Sequence, residues 1–271
     1  MAITLASLKQ RRVLQPPRVL VYGPAGIGKT NLGAGTPNPI YLPIEDGLTG
    51  MIDVPAFPLI NTFAELTEAI GWLASEEHDF QTATLDSLDW LERLVHQEAC
   101  RQNGWASIET PDYGKGYTAA LEVWKYVLDG FDALRNRRGM GLVLIAHASV
   151  VNFKSPEVTP YDRYKPKLHE SGKGNGANPL IQEAVDCIFF MNWKTSVVRD
   201  REKGDKAGEG HARGIGGNTR MVYTEERPAW LAKNRFSMPP EIQLPNDPAL
   251  AWPTVAQFIP FYSQQSAQVA A

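Results

Sequence analysis

Short apolar runs recur along the first 190 residues of the chain and alternate with segments of helical spacing. Apolar runs of four to seven residues bounded by turn residues are typical of strands buried on both faces of a sheet. Apolar residues spaced three or four positions apart predict amphipathic helices. The pattern predicts strands at 18–22, 39–44, 82–85, 141–146 and 185–191, and helices at 62–75, 88–102 and 117–136.

The alternation of strand and helix predicts an α/β fold with a mostly parallel central sheet and helices on both faces. The segment 150–178 favours a long loop or hairpin, and 199–218, with six glycines and many charges, favours a mobile connection. Strands at 221–224 and 229–233 flank a Glu-Glu-Arg-Pro turn and predict an antiparallel C-terminal extension. The predicted divisions are an N-terminal extension at 1–17, a domain at 18–244 and a tail at 245–271.

The composition is that of an ordinary globular protein, with 43% hydrophobic and 21% charged residues. A net charge of −3 gives no general attraction to nucleic acid, so binding of that kind requires a local basic patch. The two cysteines, Cys100 and Cys187, form no CxxC pair, which argues against a zinc site and favours a reducing cytoplasm, including that of a viral host. No apolar run approaches the roughly 18 residues that span a bilayer, so we expect no membrane partner.

The first predicted strand leads into a glycine-rich loop, Gly23-Pro24-Ala25-Gly26-Ile27-Gly28-Lys29-Thr30, which matches the pattern G-x-x-x-x-G-K-[ST]. Glycines let the backbone curl so that its N–H groups point at phosphate oxygens. Lys29 would reach the β- and γ-phosphates of ATP, and the Thr30 hydroxyl would bind Mg²⁺. The alternative, an ordinary glycine-rich turn, is disfavoured by the strand before the loop and the helix-compatible segment after it.

Asp86 ends the strand at 82–85, where a carboxylate would lie beside the phosphate-binding loop at the C-terminal edge of the sheet. It is therefore predicted to bind Mg²⁺ together with Thr30 and to be part of the ATP site. The alternative is a helix N-cap, because Asp86, Ser87 and Asp89 all suit the start of the next helix.

Glu45 and His147 end two other predicted strands. Glu45 is a candidate for the base that orients the attacking water, with Asp46 as its competitor and a solvated acidic turn as the alternative. His147 is a candidate sensor of the γ-phosphate, although a lone histidine is more often a structural residue.

Cations with interleaved aromatic residues follow His147, a combination that suits single-stranded nucleic acid. The aromatic residues are Phe153, Tyr161 and Tyr164, and the candidate DNA contacts are Lys154, Arg163, Lys165, Lys167 and Lys173. The alternative is a solvated surface hairpin. Near the end of the predicted domain, Lys233 and Arg235 could neutralise charge on a neighbouring subunit's γ-phosphate, or could be ordinary surface residues.

These motifs together resemble the RecA-like P-loop ATPases. The run Lys233-Asn234-Arg235-Phe236 is similar to the Lys-Asn-Arg-Phe-Gly signature of the RadA branch, with Ser237 in place of the glycine. The compact form and the Gly114-Lys115-Gly116-Tyr117 run look most like phage-encoded RecA-like ATPases of the Sak group, which are associated with single-strand annealing and recombination.

The resemblance implies ATP hydrolysis coupled to single-stranded DNA, in a ring or filament with ATP between subunits. It implies that Glu45 is the catalytic base, His147 the sensor, and Lys233 and Arg235 the cations acting in trans; a single-strand-binding protein is a possible partner. Two other functions stay open: a P-loop kinase with residues 199–220 as its lid, and a nucleotide-dependent assembly or loader subunit in which binding alone suffices.

Overall fold

The computed structural model describes residues 14–48, 52–155, 157–172, 174–200 and 211–269. Its main elements, in chain order, are β1 (Arg18–Gly23), α1 (Lys29–Ala34), β2 (Pro39–Pro43), α2 (Phe63–Ser75), β3 (Thr82–Asp86), α3 (Leu88–Asn103), α4 (Lys115–Arg138), β4 (Gly141–Phe153), β5 (Tyr161–Pro166), α5 (Ala177–Ala184), β6 (Cys187–Asp200), β7 (His211–Tyr223), β8 (Lys233–Asn234), β9 (Glu241–Gln243), α6 (Ala251–Ala256) and α7 (Pro260–Val269).

The strands of this part of the chain form one sheet in the order β2-β3-β4-β1-β6-β7-β9, with β5 paired to β4 and β8 paired to β6. Strands β2, β3, β4, β1 and β6 run parallel to their neighbours. Strands β7, β8 and β9 join in antiparallel fashion, and β5 forms an antiparallel hairpin with the far half of β4. The predicted fold class, a mostly parallel sheet with an antiparallel C-terminal extension, is confirmed.

The central strands are apolar throughout because helices cover both faces of the sheet. On β1, Leu20 and Tyr22 face a core shared with α2, α3 and α4, whereas Val19 and Val21 face a second core shared with α1 and α6. Each fully buried aliphatic side chain contributes about 1.5–3 kcal/mol to folding. Because both faces of β1 are buried, the position of the loop that follows β1 is fixed relative to the sheet.

Local signals also fix the helix ends. Helix α2 begins with a capping box in which the Thr62 hydroxyl accepts from the Glu65 N–H and the Glu65 carboxylate accepts from the Thr62 N–H. Helix α4 ends at Gly139, whose φ of 68° lies in the left-handed region that favours glycine.

Two expectations for residues 199–233 are wrong. Residues 199–200 and 211–218 belong to the paired strands β6 and β7 rather than to a mobile connection, while 201–210 lie outside the described residues. The predicted strand at 229–233 is reduced to two isolated bridges at Trp230 and to the two-residue β8. Pro228 cannot donate to a sheet ladder, and the Trp230 ring packs instead on Tyr223.

The segment after residue 245, which the sequence favours as a tail with disordered last residues, contains α6 and α7. Trp252, Val255 and Ile259 are buried in the same core as Val19 and Val21 of β1. The segment therefore packs under the domain, and the expectation of disorder is wrong up to residue 269. Within the described ranges, no helix has the length and apolar character required to cross a bilayer.

Candidate nucleotide-binding site

The loop between β1 and α1 has the tight curl that the sequence pattern predicts. A Cβ on Gly23 would collide with the carbonyl oxygen of Met191 on the neighbouring strand β6, so the chain needs glycine there. Gly26 and Gly28 have φ values of 74° and 100°, which other residues rarely adopt. Between them, the fully buried Ile27 side chain anchors the loop in the core beneath it.

Lys29 is 6% exposed and lies inside the curl of the loop. Its Nζ donates to the carbonyl oxygens of Gly23 at 3.1 Å and Pro24 at 3.0 Å. Burial lowers the pKa of Lys29, and the nearby carboxylates of Asp86 and Glu45 oppose that shift. A buried ammonium bound only to loop carbonyls can exchange those neutral partners for phosphate oxygens.

Thr30 and Asp86 lie side by side, as the sequence predicts for a magnesium pair. The Thr30 hydroxyl donates to Asp86 Oδ2 at 2.8 Å. Asp86 is buried, and this burial raises its pKa to about 6, although the Thr30 hydrogen bond lowers it. Hydroxyl and carboxylate oxygens are the donors that Mg²⁺ prefers, and a buried carboxylate without a cationic partner gains from binding one. The residues present therefore fit Mg²⁺.

The alternative role of Asp86 as a helix cap does not match the geometry. The N-cap of α3 is Ser87, and its side chain makes no capping hydrogen bond. The Ser87 hydroxyl instead donates to Glu45 Oε2 at 3.2 Å. Ser87 thus ties the end of β3 to the acid that follows β2.

Glu45, rather than Asp46, faces this cluster. The Glu45 side chain is 19% exposed, and its Oε1 lies 3.9 Å from His147 Nε2. Asp46 is exposed. The backbone N–H groups of Ile44 and Glu45 donate to the Asp86 carbonyl at 2.7 and 3.2 Å, which fixes Glu45 relative to β3. The structure therefore brings Glu45, Asp86 and His147 together at the carboxyl ends of three adjacent strands.

His147 is held by Asp89, a residue that the sequence offers only as a helix-cap candidate. Its Nδ1 lies 3.1 Å from both Asp89 carboxylate oxygens, and its backbone N–H donates to Oδ1 at 3.0 Å. The hydrogen bond with Asp89 raises the pKa of His147. Burial opposes ionisation of Asp89, but the bonds from His147 lower the pKa of that carboxyl overall. The signal that could have identified Asp89 is its position three residues after Asp86, in the first turn of α3.

The predicted DNA contacts have different environments. Lys154 and Lys167 are exposed on the β4–β5 hairpin, and Lys165 pairs with Glu170 at 2.6 Å. Arg163 is buried, bound to Glu226 at 2.8 Å and stacked 4.6 Å from the centroid of the Phe153 ring. The prediction that Arg163 contacts DNA is therefore corrected, because a buried guanidinium that is paired with a carboxylate is unavailable to a DNA strand. Lys173 lies outside the described residues.

Lys233 and Arg235 lie at the start of β6, near the amino end of β1. Lys233 Nζ donates to the carbonyl oxygens of Gln182 and Val185 at the end of α5, at 2.6 and 2.7 Å. Arg235 is half exposed and lies 3.3 Å from Asp186, which also binds Arg18 and Arg135. Since β1 spans about 17 Å, these cations are remote from the phosphate-binding loop of their own chain.

Comparison with known proteins gives a family match, a relative and a solved structure. The family model described as AAA domain matches residues 15–236. The chain is 25% identical over 191 residues to the SPbeta prophage-derived uncharacterized protein YorG of Bacillus subtilis (strain 168), which covers 68% of this chain and 53% of that protein. The chain therefore spans about half the length of this relative. The crystal structure of the RadB recombinase aligns with a TM-score of 0.44 and 14% identity, covering 86% of this chain and 89% of that one.

Proposed function

Because the chain belongs to the AAA domain family, whose match extends over residues 15–236, we propose that it is an ATPase of RecA-like type that acts on single-stranded DNA. ATP binding rests on the family and on the loop geometry around Lys29. The proposal further includes binding of DNA, assembly into an oligomer and a role in phage-type recombination or annealing. The prophage origin of YorG and the exposed lysines of the β4–β5 hairpin support them.

The observation that carries hydrolysis, rather than nucleotide binding alone, is the position of Glu45. Its carboxylate accepts from Ser87, immediately after Asp86, and lies 3.9 Å from His147. Within the described ranges, no arginine or lysine neutralises it in an ion pair. A carboxylate that is not neutralised by lysine or arginine, beside the predicted magnesium pair, can accept a hydrogen bond from water and aim that water at a phosphorus atom.

Each residue then has one task. Lys29 binds terminal phosphate oxygens, and Thr30 and Asp86 hold Mg²⁺, which when bound neutralises phosphate charge. Glu45 orients water and takes its proton. Ser87 fixes the Glu45 carboxylate, and Asp89 fixes the His147 ring.

The hairpin that would contact DNA is joined to this site through the backbone. The Lys167 N–H donates to the His147 carbonyl at 2.9 Å, and the exposed Lys167 side chain lies on the adjoining surface. A change at His147 on loss of the γ-phosphate would therefore reach the hairpin directly. We propose Lys154, Lys165 and Lys167 as the DNA-facing cations, leaving out the buried Arg163.

We also propose an oligomer in which Lys233 and Arg235 act on the nucleotide of a neighbouring subunit. Their distance from the loop of their own chain is what such an arrangement requires. The cytoplasm is the proposed location, and a single-strand-binding protein is a candidate partner.

The test is an ATPase assay with and without single-stranded DNA. We expect Lys29→Ala to abolish turnover, whereas Lys125→Ala, which changes an exposed lysine paired with Glu122 on α4, should leave it unchanged. DNA should raise turnover by the wild type, Lys167→Ala should weaken that response, and high salt should remove it. Turnover without any response to DNA would contradict the DNA part of the proposal. Tight ATP binding without turnover would favour an assembly subunit.

A further inference from the structure

Arg220 of β7 lies against the phosphate-binding loop, although it is distant from the loop in sequence. A Cβ built on Gly28 would lie only 2.9 Å from Arg220 Nη1. The guanidinium therefore lies beside the residue that precedes Lys29. The loop motif calls for one cation, Lys29. Neither that motif nor the acids that follow β2 and β3 explain why a second cation lies here.

The guanidinium is fixed in place by neutral groups. Its Nη2 donates to the carbonyl oxygens of Pro245 at 2.6 Å and Asn246 at 3.1 Å. In the described part of the chain, no carboxylate forms an ion pair with Arg220, whereas Arg18, Arg135, Arg163 and Arg235 each bind one. Arginine stays charged in proteins, so a positive charge that no carboxylate of the described ranges pairs with is held beside the loop.

The sheet order indicates which end of a nucleotide this charge would meet. Strand β1 separates β4, β3 and β2, which carry the catalytic candidates, from β6 and β7, which carry Arg220. The reacting γ-phosphate belongs on the side of Glu45 and His147. The other side of the loop is then left for the α- and β-phosphates and the nucleoside.

An exposed aromatic residue stands directly opposite Arg220. Trp193 of β6 pairs with Arg220 across the β6–β7 ladder and is 41% exposed. Met191 and Val222, two residues away on the same strands, belong to the core that also contains Ile27 of the loop. Trp193 and Arg220 therefore share the sheet face next to the loop, with Cβ atoms about 5 Å apart. An indole ring there offers a stacking surface for a base.

We propose that Arg220 and Trp193 form the nucleoside end of the nucleotide site, where Arg220 binds the α- and β-phosphates in cis and Trp193 stacks on the base. This inference rests on the proposed function, since it assumes that a nucleoside triphosphate enters the loop. The ligand class is a nucleoside di- or triphosphate. The γ-phosphate contributes nothing to either contact.

The decisive measurement is ADP affinity, because ADP lacks the γ-phosphate. Arg220→Gln keeps an N–H group for the carbonyls of Pro245 and Asn246 but removes the charge. We expect it to raise the Kd for Mg·ADP and Mg·ATP alike, by about tenfold to a hundredfold, the value of a charge-assisted hydrogen bond. In steady-state hydrolysis the KM for ATP should rise by more than kcat falls, because the groups that face the γ-phosphate are intact. Arg227→Ala, at an exposed ion pair with Glu225, is the matched control.

Trp193→Ala should weaken ADP binding but leave pyrophosphate binding unchanged, since pyrophosphate has no base. Trp72→Ala, at a similarly exposed tryptophan on α2, is its control. Melting temperatures without nucleotide distinguish binding from folding. The inference is overturned if Arg220→Gln or Trp193→Ala binds ADP as tightly as the wild type. It is also overturned if the loss of binding is fully explained by unfolded protein in the variant sample. If such a result occurs and Lys29→Ala nevertheless fails to bind ADP, the proposed function stands and only this inference fails. A wild type that binds no nucleotide refutes both.

Discussion

The two ends of the central sheet carry opposite charge arrangements. At the carboxyl ends of the parallel strands, Glu45, Asp86 and Asp89 surround Lys29, and none of them binds an arginine within the described residues. At the amino end, Asp186 binds Arg18, Arg135 and Arg235, and Asp132 also binds Arg18. The first arrangement has an excess of acids and gains stability from a bound divalent cation. In the second, each of the three arginines is bound to a carboxylate, and these ion pairs hold strands and helices together. Within the described residues, carboxylates that lack a lysine or arginine ion pair, more than a charged cluster as such, mark the reactive end.

The largest effect should come from Glu45, at the reactive end. Glu45→Gln keeps the size of the side chain and a hydrogen-bonding oxygen for Ser87 but removes the base. Turnover should fall by about 10²–10⁴-fold, the typical contribution of general base catalysis, while ATP binding persists. Steady-state hydrolysis and nucleotide titration check this, with Asp46→Asn as the exposed control. Loss of turnover in Asp46→Asn alone would exchange the roles of the two acids.

At the amino end of the sheet, the effect of a substitution should appear as a lower free energy of unfolding. Asp186→Asn removes the charge partner of the largely buried Arg135 guanidinium, while Arg18 keeps its ion pair with Asp132. Breaking a buried network of this kind costs about 3–5 kcal/mol. Arg235→Ala, which removes a half-exposed partner, should cost less than about 1 kcal/mol. Urea unfolding measures both. Equal losses for the two variants would show that Asp186 has no central place in the network.

The smallest effect concerns His147, which joins the reactive end to the hairpin. Its pKa is raised by Asp89, so the pair contributes stability that is present below the unfolded pKa of histidine, about 6.5, and is lost as pH rises through the higher folded value. The lowered pKa of Asp89 keeps that contribution until pH falls below about 4. The stability difference between wild type and His147→Gln should therefore be larger at pH 5.5 than at pH 8.5. Urea titrations at both pH values test this, and Asp89→Asn should remove the same pH dependence. A stability difference that does not change with pH would contradict the ion pair between His147 and Asp89.

The sequence predicts well those parts whose signals are local. The five buried parallel strands follow from apolar runs, because both faces of each are covered. The loop around Lys29 follows from a motif in which each residue type has a mechanical reason. The pairing of Thr30 with Asp86 follows from strand ends meeting at one edge of a sheet.

Other parts depend on partners that are remote in sequence. Arg163 looks like a solvated cation in its local context, but Glu226, 63 residues away, compensates its charge and allows its burial. The glycines at 214–217 suggest flexibility, yet the chain there pairs with β6. Arg220 carries no motif at all, and only folding brings it to Gly28. Asp89 is visible in sequence as a cap candidate, but its bond to His147 depends on β4.

The packing of α6 beneath the phosphate-binding loop gives the protein an internal spectroscopic probe. Trp252 is 2% exposed, and its Cβ lies 3.1 Å from where a Cβ of Gly35, at the end of α1, would stand. A small displacement of α1 would change the surroundings of this indole without any added dye. Emission from Trp252, obtained as the difference between the wild type and Trp252→Phe, would follow the occupancy of the loop in real time.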